Sequence, residues 1–329
     1  MGYVLGIDQG GTNTRVAIMD HMGNICGYGM AEGVYFPKSG IDAAMAPIVR
    51  LVQSVLMAPS ISRRSVTDTV AGISGIDWPE DARKIASALE EKLGLNSVQA
   101  LNDCVIALFS GTQKSYGAVL CAGTGINAAI IRPDGKQFVM SDYMGPELQG
   151  GSALSYRALR KVFDSDLGLA PPTRLTELFL DFTGFAVPYD LLKESMVNGD
   201  ALFLSITRLP PDILAIAEEG DEVTIGLLRD FANEICDYFI AGLRKMDVLG
   251  IELDIVLAGS IFKGADNKLV ENIVHRLTED APNAIIANAK YEPVVGACVM
   301  GFLRQGTFTQ EISDRLEASA KKYGLIRKV

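Results

Sequence analysis

Residues 4–19 read V-L-G-I-D-Q-G-G-T-N-T-R-V-A-I-M, which is two apolar runs joined by a turn rich in glycine. Runs of strand composition on either side of such a turn predict a β-hairpin. The glycines allow backbone N–H groups to approach a ligand closely, so the turn could bind an anion. The first apolar run ends at a charged residue, Asp8. A divalent metal bound beside the anion would explain why a carboxylate lies there. The alternative is that Asp8 only caps an ordinary turn.

A second hairpin of the same kind is encoded at residues 118–131, A-V-L-C-A-G-T-G-I-N-A-A-I-I. A short polar turn with glycine follows each copy, at 20–24 and at 133–136. This repetition predicts an internal duplication. Two glycine hairpins that face each other across a cleft could hold a polyphosphate from both sides. The chain contains no G-x-x-x-x-G-K-[ST] sequence, so the turn is not a Walker A loop.

Strand and helix patterns alternate along the chain, which predicts an α/β fold with mixed sheets. The length of 329 residues favours two domains, and we place the crossover between them at 110–114. Strands are predicted at 66–73, 97–102, 252–259 and 283–288. Helices are predicted at 39–57 with Ser39 as N-cap, at 79–94 after a start signal at Asp77, from 104 onward, and at 266–280, 292–304 and 309–324. Residues 151–248 are predicted to be mainly helical.

Composition restricts the partners and the location. The formal net charge is −10, which argues against nucleic acid or an anionic membrane as the main partner. No stretch of about 18 apolar residues occurs. No charged-then-apolar leader precedes the first strand, so we expect a cytoplasmic protein. The five cysteines are scattered and never in C-x-x-C spacing, which predicts structural thiols rather than a disulfide framework or a metal site.

At these motifs the chain resembles the actin-like (ASKHA) sugar kinase superfamily, and within it the N-acetylglucosamine kinase and BadF-type ATPase branch. D-Q-G-G-T at 8–12 is similar to the first phosphate motif of the superfamily, and A-G-T-G-I-N at 122–127 to the second. I-V-L-A-G-S at 255–260 is similar to its adenosine motif. The segment 206–228 and the run E-P-V-V-G-A-C-V-M-G at 292–301 resemble helical stretches of that branch.

The resemblance implies two duplicated actin-like ATPase domains, of the ribonuclease H-like type, that face each other across a nucleotide cleft. The N-terminal domain is expected at 1–110 and the C-terminal domain at 111–308, with a helical insertion at 151–248. A tail helix at 309–329 is expected to pack back on the first domain. The implied activity is transfer of the γ-phosphate of ATP to a sugar hydroxyl, with Mg²⁺ as the metal.

The resemblance also assigns roles to the motif residues. Asp103 is the expected catalytic base, although N-D before an apolar helix is also a capping signal, so Asp103 could simply cap that helix. Asp8 is the expected Mg²⁺ residue. Gly259 lies in a turn that would support the adenosine, or in a plain turn that ends a strand. The residues expected to bind ATP are Gly10, Gly11, Thr12, Asn13, Gly123, Thr124, Gly125, Gly259 and Ser260.

The expected acceptor is an N-acetylhexosamine such as N-acetylglucosamine, glucosamine or a related hexose. Gln149 stands where the branch carries an aspartate that contacts the sugar. The polar loop around it could equally be solvated surface. The residues expected to contact the sugar are Asn102, Asp103, Tyr143, Glu147 and Gln149.

Two other functions compete with the kinase, and both keep the fold. Some BadF-type ATPases activate a dehydratase by ATP-driven electron transfer, with an iron–sulfur cluster held by closely placed cysteines that this chain lacks. A non-catalytic sugar or nucleotide sensor would not need both Asp8 and Asp103. The repressor-like sugar kinases are disfavoured because their cysteine-rich zinc motif is missing. We expect the protein to form a homodimer and to bind a small-molecule sugar as its substrate.

Overall fold

The computed structural model describes residues 2–95, 97–123, 125–262 and 267–327. Both predicted glycine hairpins are present, and strands of Val, Ile, Leu and Ala form the centre of each half of the protein. The strands are β1 Tyr3–Gln9, β2 Asn13–Asp20, β3 Ile25–Glu32, β4 Val66–Ile73, β5 Val98–Leu101, β6 Gly117–Ala122, β7 Ile126–Ile131, β8 Gln137–Val139, β9 Leu253–Ala258 and β10 Ala284–Asn288.

Helices connect and cover these strands. Short 3₁₀ turns lie at Arg63–Ser65, Ser141–Tyr143 and Pro146–Leu148. The α-helices are α1 Phe36–Ser39, α2 Ile41–Met57, α3 Pro79–Leu93, α4 Asp103–Leu108, α5 Gly150–Asp166, α6 Leu175–Thr183, α7 Pro188–Val197, α8 Gly199–Ile206, α9 Pro210–Glu218, α10 Glu222–Lys245, α11 Lys268–Asp280, α12 Pro293–Arg304 and α13 Gln310–Lys322. In the described part, no helix combines the length and the apolarity needed to cross a bilayer.

The two halves share one strand order. The first sheet runs β3-β2-β1-β4-β5, and the second, written from its opposite edge, runs β8-β7-β6-β9-β10. In each sheet the hairpin strands pair antiparallel and the two later strands add in parallel. The predicted α/β fold and the predicted internal duplication are therefore confirmed.

Helices α4 and α12 lie together and connect the two sheets. Helix α12 contacts β1, β2 and β4, and α4 contacts β6, β7 and β9 as well as β4. A Cβ added at Gly296 would lie 2.1 Å from the Ile106 carbonyl oxygen, so the two helix backbones touch. The sequence assigned 292–304 to the second domain, whereas its helix packs against the first sheet. Each half thus places its last helix on the sheet of the other half.

Helix α13 contacts the first sheet at its edge strand β3. The backbone N–H of Ile25 donates to Ser319 Oγ at 3.0 Å, and the Tyr323 hydroxyl donates to the Cys26 carbonyl at 3.2 Å. The rings of Tyr28 and Tyr323 meet edge to face, with centroids 6.5 Å apart. These contacts hold the segment after α12 against the first half of the protein.

One predicted helix start was wrong by one residue, because Ser39 is the last residue of α1 and Gly40, not Ser39, is the N-cap of α2. The predicted start of the next helix at residue 79 is confirmed, and Trp78 lies between Asp77 and this first helical residue. Pro79 opens α3, and proline at the first helical position has the backbone angle of a helix and no N–H that needs a cap. The side chain of Asp77 is thereby available for other contacts.

The helical insertion from α5 to α10 forms a core with one face of the second sheet. Phe179, Phe231 and Phe239 are fully buried there, and they belong to the same apolar cluster as Leu120 and Ile130 of the sheet. The insertion therefore stabilises the second half, and the ends of its strands stay open on the side of the first half.

Candidate active site

A cavity of about 630 Å³ opens between the carboxyl ends of the strands of the two sheets. Pockets of this size are typical of small-molecule and cofactor sites, and open α/β sheets bind ligands at the carboxyl ends of their strands. Thr124 lies outside the described residues. The sequence-predicted site residues that line the cavity are Asp8, Gly10, Gly11, Thr12, Asn13, Asn102, Asp103, Gly123, Gly125, Gln149, Gly259 and Ser260.

The first glycine turn leaves amides open to the cavity. Gly10 N–H donates to the Asn13 carbonyl at 2.9 Å and is used within the turn. Gly11 is exposed, and a Cβ added there would contact nothing within 4 Å. The amides of Gly11 and Thr12 have no hydrogen-bond acceptor among the described residues. These two amides are available to donate to an anion, whereas the sequence motif predicted this role for Gly10 as well.

The second glycine turn is braced from two sides. Gly123 N–H donates to the Gly125 carbonyl at 2.9 Å, and Gly151 N–H donates to the Gly123 carbonyl at 2.8 Å. Gly259 has a φ of 110°, and a Cβ there would lie 2.0 Å from the Ala122 carbonyl oxygen. The adenosine-motif turn and the second phosphate turn therefore touch through their backbones at the ends of β9 and β6.

We expect alanine at Gly259, in the adenosine-motif turn, and alanine at Gly11, in the first glycine turn, to have different effects on stability and on ATP binding. Gly259→Ala should destabilise the protein by about 1–3 kcal/mol, because the side chain is forced into a left-handed conformation and into the Ala122 carbonyl. Gly11→Ala should leave the melting temperature unchanged and weaken ATP binding, because its methyl group projects into open space at the turn. Thermal unfolding of both variants, with ATP titration, measures the difference. Equal melting temperatures would contradict the Gly259 contact.

Asp103 opens α4 directly after β5, and its neighbour performs the capping. Asn102 Oδ1 accepts the Cys104 N–H at 3.0 Å, so Asn102 is the N-cap and Asp103 is the first helical residue. Burial, together with the negative charges of Asp8 and Asp77, raises the pKa of Asp103 to about 7, although the hydrogen bond from the Cys104 N–H acts in the opposite direction. The Asp103 carboxyl lines the cavity with a pKa suited to proton transfer at neutral pH.

Asp8 lies at the end of β1, opposite Arg15 in the hairpin register. The Asp8 carboxylate is 3.2 Å from Arg15 Nη1, and Arg15 Nη2 is 3.9 Å from Glu292. Burial raises the pKa of Asp8 to about 6, because loss of solvent outweighs the attraction of Arg15. Among the described residues, no group of three or more His, Cys, Asp or Glu side chains is placed to hold a metal by itself.

A polar network crosses the cavity beside Asp103. Asp77 Oδ1 accepts Ser141 Oγ–H at 2.7 Å and Asn102 Nδ2–H at 3.1 Å. Asn127 Nδ2 donates to Asn102 Oδ1 at 3.3 Å, and Asn127 Oδ1 accepts the Ser141 N–H at 2.9 Å. Asp77 and Asn102 follow the parallel strands β4 and β5, and Asn127 and Ser141 belong to the second half. These side chains therefore join the two halves at the end of the cleft where Asp103 lies.

Asp77, Asn127 and Ser141 were not predicted as site residues from the sequence. A usable signal existed for Asp77, because S-G-I-D at 74–77 follows a buried strand just as N-D at 102–103 follows the next one. Carboxyl ends of neighbouring parallel strands meet at one edge of a sheet. Arg15 could have been placed beside Asp8 from the hairpin register alone.

Two of the predicted sugar contacts do not reach the cavity. Tyr143 is exposed and its ring packs edge to face on Phe138. Glu147 is exposed, its carboxylate lies over Gly145 and it is not among the residues that line the cavity. Gln149 does line it, and its Nε2 donates to the Met144 carbonyl at 2.7 Å. The 3₁₀ turns on either side of Gly145 direct the other two side chains outward.

The raised pKa of Asp103 predicts a pH-dependent stability. A carboxyl with a pKa above its ordinary value of 3.8 holds its proton more tightly in the folded state, so stability is lost as the pH rises from about 4 to about 7. Asp103→Asn removes this loss. Without ligands, the variant should melt about 2–4 °C above the wild type at pH 8 and close to it at pH 4. Melting curves of both proteins at the two pH values measure the difference in melting temperature. A difference that does not change with pH would contradict a buried charge at Asp103.

Curated relatives of this chain include proteins that are sugar kinases by name. The chain is 27% identical over 314 residues to the N-acetyl-D-glucosamine kinase of Dictyostelium discoideum, a match that covers 90% of this chain and 96% of that protein. It is 23% identical over 256 residues to the glucosamine kinase of Vibrio cholerae, which covers 76% of this chain and 85% of that protein.

A solved structure shares the fold over nearly the whole chain. The ROK family glucokinase of Streptomyces griseus, in complex with glucose and AMPPNP, superposes with a TM-score of 0.59 at 17% identity, covering 93% of this chain and 100% of that one. At this identity the likeness concerns the fold alone. The family model of the BadF/BadG/BcrA/BcrD ATPases matches residues 5–301, which include both glycine turns, Asp103 and Gly259. The chain belongs to the BadF/BadG/BcrA/BcrD ATPase family.

Proposed function

We propose that this protein is an ATP-dependent hexosamine kinase, which transfers the γ-phosphate of ATP to a hydroxyl of N-acetylglucosamine, glucosamine or a related amino sugar. The observation that carries the proposal is Asp103, a carboxyl with a pKa of about 7 in a cleft between two glycine turns. The relatives named for N-acetylglucosamine and glucosamine support the substrate class.

The two ends of the cleft have different chemistry, which separates the nucleotide from the acceptor. Gly259 and the two glycine turns offer backbone surfaces and amides at one end, where adenosine and phosphates would lie. Asp77, Asn102, Asn127 and Ser141 offer hydroxyl-binding groups at the other end, beside Asp103. A sugar held by these polar groups presents its hydroxyl to Asp103 and to the terminal phosphate of ATP. Phosphoryl transfer depends mainly on such positioning.

Asp103 acts as the general base. Its carboxylate accepts the proton of the acceptor hydroxyl while the hydroxyl oxygen bonds to the γ-phosphorus, the bond from that phosphorus to the β,γ-bridging oxygen breaks, and ADP leaves. Asn102 fixes the start of α4 by capping it, and this sets the position of the Asp103 backbone. A pKa near the working pH favours both the ionised form before transfer and the uptake of a proton during it.

The residues present fit a divalent metal. Asp8 and Asp103 are oxygen donors that line one cavity, and burial raises the pKa of both carboxyls. A bound cation would lower the cost of ionising them there. Asp8 would hold Mg²⁺ through water, since Mg²⁺ keeps several of its waters. When bound there, the metal would supply positive charge that offsets the negative charge of the phosphates. Arg15 holds the Asp8 carboxylate in position from the other side.

A panel of sugars tests the proposal. Purified protein with ATP and Mg²⁺ should release ADP fastest with N-acetylglucosamine or glucosamine, slower with glucose, and only at a basal rate without sugar. If no hexose or hexosamine raises ADP release above the basal rate, the kinase proposal is wrong. A brown protein that contains iron would instead favour a dehydratase activator. Light scattering of the same sample checks the expected homodimer, which stays a prediction.

A further inference from the structure

A short segment after α13 is fastened beside the cleft. Ile326 forms an isolated antiparallel bridge with Tyr291. Glu292 N–H donates to the Leu325 carbonyl at 2.9 Å, and Arg327 N–H donates to the Lys290 carbonyl at 2.9 Å. Residues 325–327 therefore run as an added strand along residues 290–292, where the chain passes from β10 to α12. This attachment fixes the backbone position of Arg327.

The side chain of Arg327 enters the nucleotide end of the cleft. Arg327 is 8% exposed, it lines the cavity, and its Nη2 donates to the Gly259 carbonyl at 2.6 Å. Its charge also acts on Cys121 at the end of β6. Since Gly259 touches Ala122, the guanidinium lies where the adenosine-motif turn meets the second phosphate turn. A nucleotide that spans these turns must pass its phosphates along this point.

The guanidinium lacks a direct counter-ion in the described part of the chain, where no carboxylate oxygen lies at ion-pair distance from it. The negative charge of Glu292 attracts it and the positive charge of Arg15 repels it, while burial lowers its pKa. Buried cations are costly unless an anion pairs with them. One hydrogen bond to a carbonyl satisfies one of five N–H donors and leaves the others for a ligand.

We propose that Arg327 binds a phosphate of the nucleotide and holds the polyphosphate between the adenosine-motif turn and the two glycine turns. The proposal rests on ATP as the nucleotide of the proposed kinase. Arginine pairs with phosphate through two parallel N–H···O bonds, and its planar head can keep the bond to Gly259 at the same time. The residue lies outside the matched family region 5–301, so it adds a contact that the phosphate motifs do not supply.

Isothermal titration with ADP and with adenosine tests the contact without requiring turnover. Arg327→Gln should weaken ADP binding by about 10–100-fold, the scale of a lost charge-assisted hydrogen bond, and leave adenosine binding within about twofold. The ADP affinity of Arg327→Lys should lie between that of Arg327→Gln and that of the wild type, because lysine keeps the charge. Lys322→Gln, an exposed cation on α13, is the matched control and should bind ADP as the wild type does.

The outcomes separate this proposal from the kinase proposal. ADP binding by Arg327→Gln within twofold of wild type would overturn the phosphate contact, and so would an equal loss for ADP and adenosine, which indicates a structural role. If circular dichroism shows that Arg327→Gln does not fold, the test is made with Arg327→Lys. Wild-type ADP affinity of Arg327→Lys, together with a wild-type salt dependence of that binding, would overturn the contact. Wild-type protein that binds ADP but phosphorylates no sugar would remove the kinase and leave the Arg327 result valid.

Discussion

Replacing Asp103 with asparagine should lower turnover by about 10²–10⁴-fold, the usual range for loss of a general base. The amide has nearly the same shape but cannot take up the proton of the acceptor hydroxyl. Asn102 still caps α4 in the variant, so the start of the helix should not move. ADP binding should stay close to wild type, because the glycine turns and Arg327 are unchanged. Initial rates at saturating sugar and ATP measure the loss.

Asp134→Asn is the matched control for Asp103→Asn. Asp134 is an exposed aspartate in the turn between β7 and β8, and its replacement should leave the rate unchanged. The wild-type rate should also rise with pH through the pKa of Asp103, because only the ionised carboxylate accepts the proton. An Asp103→Asn rate within a few-fold of wild type would remove Asp103 from the mechanism.

Replacing Asp8 with asparagine should weaken the dependence on Mg²⁺ and lower turnover by about 10²–10³-fold, the scale of one lost electrostatic contact in an active site. Asp8 is buried at the end of β1 and faces the same cavity as Asp103. Without its charge, the waters that hold Mg²⁺ at the phosphates lose an anchor. A Mg²⁺ titration of the rate at fixed ATP should shift to higher concentration.

The ion pair with Arg15 provides the comparison for Asp8. Arg15→Gln keeps the carboxylate and removes the cation 3.2 Å away, so the pKa of Asp8 should rise above about 6 and Mg²⁺ should still be required. Asp8→Asn should therefore change the Mg²⁺ titration more than Arg15→Gln does. If the titration of Asp8→Asn overlays that of wild type, Asp8 is only a turn residue.

Local patterns were sufficient to predict the hairpins, the duplication and most helices. A strand ending in a glycine turn is written in a few consecutive residues, as at 4–19 and 118–131. The exchange of α4 and α12 between the sheets was not predictable in this way. It depends on contacts between residues such as Ile106 and Gly296, which lie far apart in the chain. Helix periodicity shows which face is apolar but not which sheet covers it.

The site was predictable to a similar extent. Asp8, Asp103 and the glycines follow strands in recognisable motifs, and the structure brings them to one cavity. Tyr143 and Glu147 lie close to the second hairpin in sequence, yet the backbone of the intervening turns directs them away. Arg327 is 68 residues from the Gly259 carbonyl that it contacts, and no motif surrounds it. Its position follows from the pairing of 325–327 with 290–292, which only the folded chain reveals.

The fate of the γ-phosphate tests the kinase most directly. ATP labelled with ³²P at the γ-position should be incubated with Mg²⁺ and N-acetylglucosamine or glucosamine, and the products separated by charge. We predict that the label appears in a sugar phosphate with wild-type protein, in equal amount to the ADP formed, and that Asp103→Asn forms almost none. Label released as inorganic phosphate at the same rate with and without sugar would show an ATPase without sugar transfer and contradict the account.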